Sequence, residues 1–349
     1  MSAAQHLTDL TGQLRVIVGG EYHLRLLSTL GVGTFGRVYK AVDIHSSLHY
    51  AVKCMARAIA GSRQHIAQER EVEAHTLVSG HPRIVTLHHH LTTADHVFLV
   101  LEYVAGGTLL SAVQRRVFGN DTPRIKQAMS EILDVVAHLQ RHGVAHRDIK
   151  PENFLCDADG SNIRLADFGL AEVGWESDSF AGTLPYMSPE AHRPDASLAL
   201  NDQWAVAVTF LNIVSNSSRC PWQRADLNDA AFYSFCRDTS TLQDLLKVHL
   251  TEGASLYLEM CLDPSLDERS TLTEMRKNLK HVQLFTEGRR QSVSTVASVA
   301  LTYGASAASS RAPATPALEQ PRPVLPKSAR NKKPSILRRV AARFTALKA

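Results

Sequence analysis

The sequence lacks three features that mark other classes of protein. It has no run of 18 apolar residues, so we expect no membrane-spanning helix. Its start, MSAAQHLTDL, has neither a basic segment nor an apolar core, which argues against secretion. It has no CxxC pair among its five cysteines, which are Cys54, Cys156, Cys220, Cys236 and Cys261. Such a set indicates free thiols in a reducing compartment, so we expect a cytoplasmic or nuclear protein.

Acidic residues are missing from the last part of the chain. Residues 327–349 contain eight Lys or Arg and no Asp or Glu, so this basic tail carries +8. The whole chain carries only +4, and the remainder is therefore about −4. Because the positive charge belongs to the tail, we expect no direct nucleic-acid binding by the rest of the protein.

Apolar residues predict strands first and helices later. Residues 22–104 contain five short apolar segments typical of strands, with one helix predicted over 62–78. After the glycine pair 106–107 the apolar spacing becomes helical, most clearly over 123–141. Further helices are predicted over 202–216, 228–237, 255–261 and 273–281. The pattern predicts an α+β fold with a small β-rich part and a larger, mainly helical part.

The chain changes character again near residue 286. Residues 287–326 are rich in Ser, Ala and Pro and predict a disordered linker. In the basic tail, 327–349, four apolar residues are spaced for one helical face: Ile336, Val340, Phe344 and Leu347. The tail has four open interpretations: a membrane-surface helix, a partner-binding helix, an import signal read by an import receptor, or a solvated disordered segment.

Gly31, Gly33 and Gly36 form a G-x-G-x-x-G pattern. Alone, this pattern is compatible with a plain glycine-rich turn, a dinucleotide-binding fold or a hairpin that covers a nucleotide. The next segment, GRVYKAVDI, is typical of a strand, whereas the dinucleotide motif must open a helix. We therefore expect a strand, a glycine loop and a second strand, with Phe35 at the tip. An enzyme that uses a nicotinamide cofactor is the least favoured of the three functions that the sequence allows.

Charged residues follow in an order that suits phosphate chemistry. Lys53 lies in an apolar strand, where its charge needs a partner, and Glu71 on the predicted helix can pair with it. In the segment VAHRDIKPENFLCDADGSNIRLADFG, Asp148 can accept a hydroxyl proton and Lys150 can neutralise phosphoryl charge. Asn153 and Asp167 offer the oxygen ligands that Mg²⁺ prefers. Each is an ordinary polar residue alone, but chance rarely produces the ordered set.

The motifs GVGTFGRV, AVK, HRDIKPEN, DFG and SPE resemble those of eukaryotic protein kinases over residues 22–285. Lys150, and Gly182-Thr183 before YMSPE, resemble the serine/threonine branch. LADFGLAEV, NDQWAVAV and CPWQRADLNDAAF resemble fungal kinases of the meiosis-inhibiting and nutrient-signalling group. The resemblance implies a bilobal protein-kinase fold over 22–286, after an N-terminal extension at 1–21. Its N-lobe, 22–104, would be small and β-rich with one helix, and its C-lobe, 105–286, larger and mainly helical.

The resemblance also implies a site for ATP and Mg²⁺. The residues implied to cover the phosphates are Gly31, Val32, Gly33, Thr34 and Gly36. Those implied to hold the adenine are Val38, Ala51, Leu101 as gatekeeper, the backbone of Glu102, Tyr103 and Val104, and Leu155. The implied catalytic residues are Lys53 paired with Glu71, Asp148 as base and Lys150 at the γ-phosphate, with Asn153 and Asp167 holding Mg²⁺.

Supporting and specificity roles follow from the same resemblance. Glu190 would pair with Arg269, and Asp202 would brace the backbone of the HRD segment. Thr108 and Asn212 stand where strongly basophilic kinases have acids, while Glu152 remains. We expect at most a mild preference for basic residues near the acceptor.

Arg147 implies a regulatory hypothesis. In this family the arginine beside the catalytic base lets a phosphorylated activation loop dock on the catalytic loop. Ser179, with Ser177 nearby, lies where such a phosphate would sit. Phosphorylation of Ser179 is therefore predicted to raise activity. The alternative is constitutive activity through a preordered loop.

The sequence therefore predicts an active serine/threonine protein kinase that acts on protein substrates, in signalling in a fungal cell. The runner-up is a pseudokinase that acts as a binding scaffold. Pseudokinases usually lack the lysine, the HRD aspartate or the DFG aspartate. This chain has all three, as Lys53, Asp148 and Asp167.

Overall fold

The computed structural model describes residues 9–17, 22–33, 36–177, 179–193 and 195–286. The predicted linker at 287–326 and the basic tail lie outside the described residues, and so do Thr34 and Phe35. Within the described part the fold is α+β and bilobal, as predicted.

An antiparallel sheet of six strands forms the N-lobe, in the order β1-β2-β3-β4-β6-β5. The strands are β1 Leu14–Ile17, β2 Tyr22–Val32, β3 Arg37–Asp43, β4 His49–Ala56, β5 Leu87–Thr92 and β6 His96–Glu102. The last five are those predicted from the apolar segments. The first lies inside the predicted N-terminal extension, where the buried Leu10 donates its N–H to the Tyr39 hydroxyl at 3.0 Å. The sheet therefore begins earlier than the sequence pattern indicated.

Helix α1, Arg63–Val78, packs against the sheet and carries functional groups on its buried face. It begins after Ser62, whose hydroxyl accepts the backbone N–H of His65 at 3.1 Å. Its buried side includes Gln68, Glu71 and His75 as well as apolar residues. This mixture explains why its apolar periodicity is weak in the sequence.

The C-lobe is built from helices around the larger apolar core. The helices are α2 Leu109–Gln114, α3 Thr122–Arg141, α4 Leu198–Ser215, α5 Ala230–Arg237, α6 Thr241–Leu246, α7 Glu252–Cys261 and α8 Leu272–Leu279. The two shortest, α2 and α6, have too few turns to show a period and were not predicted. The prediction that α4 begins at Asp202 was wrong by four residues. The helix begins at Leu198, after Ser197, and the Asp202 carboxylate within it binds the backbone of His146.

Short strands fold the polar segment 144–169 under the sheet. β7, Val144–Ala145, pairs with β10, Glu172–Val173, while β8, Phe154–Leu155, pairs with β9, Arg164–Leu165. The N–H of Val85 donates to Leu165 at 2.9 Å and links this layer to the N-lobe. The catalytic candidates therefore lie between the lobes.

Two expectations about the whole chain can be compared with the structure. The five cysteines are free, and all except the half-buried Cys220 are buried. Among the described helices, none combines the length and the apolarity that crossing a membrane requires.

Candidate active site

A cleft of about 410 Å³ separates the two lobes. That volume falls in the range of small-molecule sites, roughly 300–1,000 Å³. The predicted residues that line it are Gly31, Gly33, Gly36, Val38, Ala51, Lys53, Glu71, Leu101, Glu102, Tyr103, Val104, Asn153, Leu155 and Asp167. Val32 was placed in the site but does not line the cleft, because its side chain is 55% exposed at the end of β2. Thr34 lies outside the described residues.

The glycine loop lies close against β4. A Cβ added at Gly36 would lie 2.4 Å from the carbonyl oxygen of Cys54, so no other residue fits without movement. The N–H of Gly33 donates to the carbonyl of Gly36 at 2.9 Å and closes the turn. Gly33 and Gly36 therefore lie close to each other at the edge of the cleft.

Lys53 pairs with two carboxylates that come from different lobes. Its Nζ lies 2.5 Å from Glu71 Oε1 and 2.9 Å from Asp167 Oδ1. Burial alone would lower the pKa of the Lys53 ammonium, but the charges of Asp167 and Glu71 outweigh burial and raise it. Lys53 in turn lowers the pKa of Asp167 to about 2, while burial raises the pKa of Glu71. The predicted lysine–glutamate pair is formed, and Lys53 is held charged in the cleft.

Asp167 is fixed by the residue that follows it. Its backbone has φ 59°, a left-handed conformation that is uncommon for a residue other than glycine. The fully buried Phe168 ring lies 4.4 Å from the ring of His75 on α1 and 5.1 Å from that of His146. Burial lowers the pKa of His75 to about 4, so its ring is neutral at physiological pH. This aromatic stack connects α1 to the segment that carries Asp167.

Asp148 is surrounded by hydrogen-bond donors. Lys150 Nζ lies 2.8 Å from its Oδ2, and the Thr183 hydroxyl donates to its Oδ1 at 2.6 Å. Asn153 Nδ2 donates to Oδ2 at 2.9 Å and to the Asp148 carbonyl at 2.8 Å. Lys150 also donates to the Thr183 hydroxyl at 2.8 Å. The predicted base, lysine and asparagine are therefore together.

The backbone before Asp148 is held by Asp202 of α4. The two Asp202 carboxylate oxygens accept the N–H groups of His146 at 2.6 Å and Arg147 at 2.8 Å. Arg147 has φ 67°, so these hydrogen bonds stabilise a conformation that the residue would otherwise avoid. The brace predicted from the resemblance has the expected geometry.

Glu190 and Arg269 form a buried two-point ion pair. Arg269 Nη1 donates to Glu190 Oε1 at 2.6 Å, and Nη2 donates to Oε2 at 2.8 Å. The guanidinium also lies 4.8 Å from the ring centroid of Trp204 on α4. This pair, also predicted, ties the SPE segment to the helical core.

The Arg147 side chain lies among the predicted regulatory residues. Its Nη1 donates to the hydroxyls of Ser177 at 3.2 Å and Ser179 at 3.1 Å, and its Nη2 donates to the Ser179 carbonyl. Nη1 also lies 3.2 Å from Glu172 Oε1, which was not predicted. Burial lowers the pKa of Arg147, and the Glu172 charge opposes that shift.

The residues proposed for Mg²⁺ suit a hard cation. Asn153 uses its amide nitrogen on Asp148, so its amide oxygen is the atom left to act as a ligand. One Asp167 oxygen accepts from Lys53, and the side chain is half exposed in the cleft. A carboxylate and an amide oxygen are ligands that Mg²⁺ accepts together with phosphates and water. The donor set therefore fits the predicted ion.

Three residues of the site were missed in the sequence. Thr183 was used only as a branch marker, although it contacts both Asp148 and Lys150. His75 and Glu172 stand in ordinary helical and strand contexts. No local pattern marks these two, because their partners are distant along the chain.

The site can be compared with known proteins. A model of the protein kinase domain matches residues 24–281. The "Negative regulator of sexual conjugation and meiosis" of Schizosaccharomyces pombe is 34% identical over 286 residues, which cover 73% of this chain and 60% of that protein. The "Serine/threonine-protein kinase AtPK2/AtPK19" of Arabidopsis thaliana is 35% identical over 204 residues, 57% of this chain and 42% of that protein.

A second Schizosaccharomyces pombe protein, "Serine/threonine-protein kinase cds1", is 34% identical over 187 residues, 51% of this chain and 40% of its own length. This chain therefore spans 60% or less of the length of these three relatives. The domain match covers most of the residues that the structure describes. The motif glycines, Lys53, Asn153 and Asp167 line one cleft, and Asp148 lies beside it in contact with Asn153. The chain belongs to the protein kinase family, in its serine/threonine branch.

Proposed function

We propose that this protein transfers the γ-phosphoryl group of ATP to serine or threonine hydroxyls of protein substrates. The observation that carries the proposal is the assembly of Lys53 with Glu71 and Asp167, opposite Asp148 with Lys150 and Thr183. A scaffold that does not catalyse transfer does not require both the group around Lys53 and the group around Asp148.

The nucleotide binds mainly against the N-lobe side of the cleft. Val38, Ala51 and Leu155 provide apolar surface for the adenine, and the backbone of Glu102–Val104 offers hydrogen-bonding groups to its edge. The Lys53 ammonium, held extended by Glu71, meets the α- and β-phosphates. Bound with ATP, Mg²⁺ supplies further charge neutralisation, and Asn153 and Asp167 are the residues that would hold it.

Phosphoryl transfer falls to the C-lobe side. Asp148 accepts the proton of the acceptor hydroxyl, and its oxygens are oriented by Thr183 and Asn153. The Lys150 ammonium neutralises charge that spreads over the transferring group. Positioning and charge neutralisation lower the barrier, because this transfer needs little covalent help from the protein.

A phosphotransfer assay separates this function from the pseudokinase alternative. The full-length chain is incubated with ATP, Mg²⁺ and a broad panel of protein substrates, beside an Asp148→Asn variant. We expect transfer by the wild type and a loss on the order of 10²–10⁴-fold in the variant, the usual contribution of a general base. ATP binding should persist in both proteins. Binding without any transfer by the wild type would favour the scaffold.

We propose a mild preference for basic residues near the acceptor. Thr108 caps α2, and Asn212 is buried and accepts from the Tyr186 hydroxyl at 3.0 Å. Neither residue can offer a negative charge to a substrate, while the exposed Glu152 lies at the cleft. A degenerate peptide library should show weak selection for Arg or Lys, reduced further by Glu152→Gln. Strong selection for basic residues would contradict this assignment.

We propose a role in fungal signalling, because one relative is named a negative regulator of conjugation and meiosis. The wild-type chain, expressed in Schizosaccharomyces pombe that lacks this regulator, should restore the repression of conjugation and meiosis. The Asp148→Asn variant should not. Equal behaviour of the two proteins would argue against a kinase-dependent role.

The basic tail is proposed to direct the protein to the nucleus, to a membrane surface or to a helix-binding partner. Deleting residues 327–349 from a tagged chain should change its distribution between cytoplasm and nucleus. An unchanged distribution would remove both the membrane and the import interpretations.

A further inference from the structure

Glu172 on β10 accepts three donors at one carboxylate oxygen. Its Oε1 lies 2.6 Å from Arg70 Nη1 and 3.2 Å from Arg147 Nη1. The Ser177 hydroxyl donates to the same oxygen at 2.8 Å. The Glu172 side chain is only 8% exposed, so solvent screens these contacts weakly.

Two of the three donors stand directly beside charged residues of the site. Arg70 immediately precedes Glu71 on α1, and Arg147 immediately precedes Asp148. Glu172 itself lies five residues after Asp167 and pairs with β7. A single carboxylate therefore joins helix α1 through Arg70, the catalytic loop through Arg147 and the activation loop through Ser177.

Without this carboxylate, the interaction between α1 and the catalytic loop would change from attraction to repulsion. Arg70 and Arg147 both approach Glu172 Oε1, and removing its negative charge would leave two guanidinium groups facing each other. Because Arg147 is buried and its backbone is fixed by Asp202, the residue free to retreat is Arg70, with α1. A retreat of α1 would draw Glu71 away from Lys53.

We propose that Glu172 is a positioning residue that holds α1 against the catalytic loop and so keeps the site assembled without a phosphate on the activation loop. The inference rests on the proposed kinase function. It supports the preordered-loop alternative over the hypothesis that phosphorylation of Ser179 raises activity.

The serine geometry favours this assignment. The Ser177 hydroxyl lies 2.8 Å from the Glu172 carboxylate and 3.0 Å from the Ser179 hydroxyl. A phosphate on Ser177 would place a second anion directly against Glu172, and the two would repel each other. The negative charge that Arg147 needs is already supplied by the protein.

The test is chemical rescue in the full-length protein, freed of phosphate by phosphatase treatment. Truncation in Glu172→Ala removes the equivalent of an acetate ion. We expect kcat to fall about tenfold or more, as misplaced catalytic groups do, and ADP binding to change less. Acetate should recover part of the lost kcat, and chloride at the same ionic strength should not.

The matched control is Glu131→Ala. Glu131, on α3, is also a buried carboxylate, paired with Arg83 at 3.1 Å and absent from the cleft lining. Its truncation should lower the melting temperature while the folded enzyme keeps its kcat, with no response to acetate. A similar acetate response in both variants would overturn the proposal.

Arg70→Gln provides a second variant in case Glu172→Ala does not fold. The Arg70 side chain is 48% exposed, so its replacement should leave the fold intact. It should lower kcat in the same direction as Glu172→Ala, without rescue by acetate. Unchanged kcat in Arg70→Gln, or inactivity of the phosphate-free wild type that phosphorylation restores, would overturn the inference. A wild type that binds ATP but never transfers phosphate would instead refute the proposed function.

Discussion

Helices α1 and α4 both supply a buried acid to the active site, but their surroundings differ. Helix α4 is buried along most of its length by apolar neighbours, and Asp202 projects from it to the catalytic-loop backbone. The buried face of helix α1 mixes polar with apolar residues, and two of its large apolar residues, Ile66 and Leu77, are exposed. One helix belongs to the core, while the other rests on the sheet and on charge pairs.

The difference assigns different tasks to the two sides of the cleft. Around α4, buried hydrogen bonds and ion pairs serve the fold, so damage should appear first as lost stability. Around α1, the contacts to the rest of the site include the ion pairs of Lys53 with Glu71 and of Arg70 with Glu172, and the stack of His75 on Phe168. Damage there should appear first as lost activity. This division of tasks determines which substitutions should affect stability and which should affect activity.

The largest effect is expected at the ion pair beside α4. Arg269→Met leaves the Glu190 carboxylate buried without its partner, which should cost about 3–5 kcal/mol of unfolding free energy. Denaturant unfolding gives this value. The double variant with Glu190→Gln should regain part of the loss, because no charge then stays buried. A single-variant loss below about 1 kcal/mol, as at a surface pair, would contradict the division.

On the α1 side, Lys53→Met should abolish most activity at a smaller cost in stability. We expect phosphotransfer to fall on the order of 10²–10³-fold, as for loss of one transition-state donor. The raised pKa of Glu71 lets this residue take up a proton when its partner is gone, and Asp167 is half exposed. Parallel unfolding and kinetic measurements test the point. A stability loss as large as that of Arg269→Met would show that the two sides are equivalent.

His75 adds a pH dependence to the α1 side. Its pKa is lowered from 6.5 to about 4 by burial, so the unfolded chain takes up a proton in this range while the native chain does not. The unfolding free energy should therefore fall as the pH drops from about 6.5 to about 4, by up to about 3 kcal/mol. His75→Leu should remove this part of the slope and keep the packing on Phe168. An identical slope in the variant would assign the loss to other groups, such as His138.

The sequence predicted the motif residues on both sides of the cleft better than it predicted the contacts that depend on the fold. Strands and long helices have periods that a single segment reveals, and Lys53, Asp148 and Asp167 stand in an ordered motif set. The start of α4 was misplaced by four residues, although the bond of Asp202 to the HRD segment was predicted from the resemblance. Glu172 was missed because its role depends on Arg70, 102 positions earlier in the chain. Contacts of this kind are set by the fold and leave no local pattern.

The smallest effect is expected at Ser179, and it decides how α1 is held. If Glu172 supplies the charge for Arg147, Ser179→Ala should keep kcat within about twofold in a phosphate-free preparation, since only the two hydrogen bonds of an exposed hydroxyl, to Arg147 and Ser177, are lost. The carbonyl of residue 179 still accepts from Arg147, so the loop keeps a contact. Ser177→Asp, which sets a carboxylate against Glu172, should lower kcat instead. If phosphorylation of Ser179 raised kcat well above that of the Ala variant, activity would depend on this phosphate. Helix α1 would then be held in place only when the loop is phosphorylated.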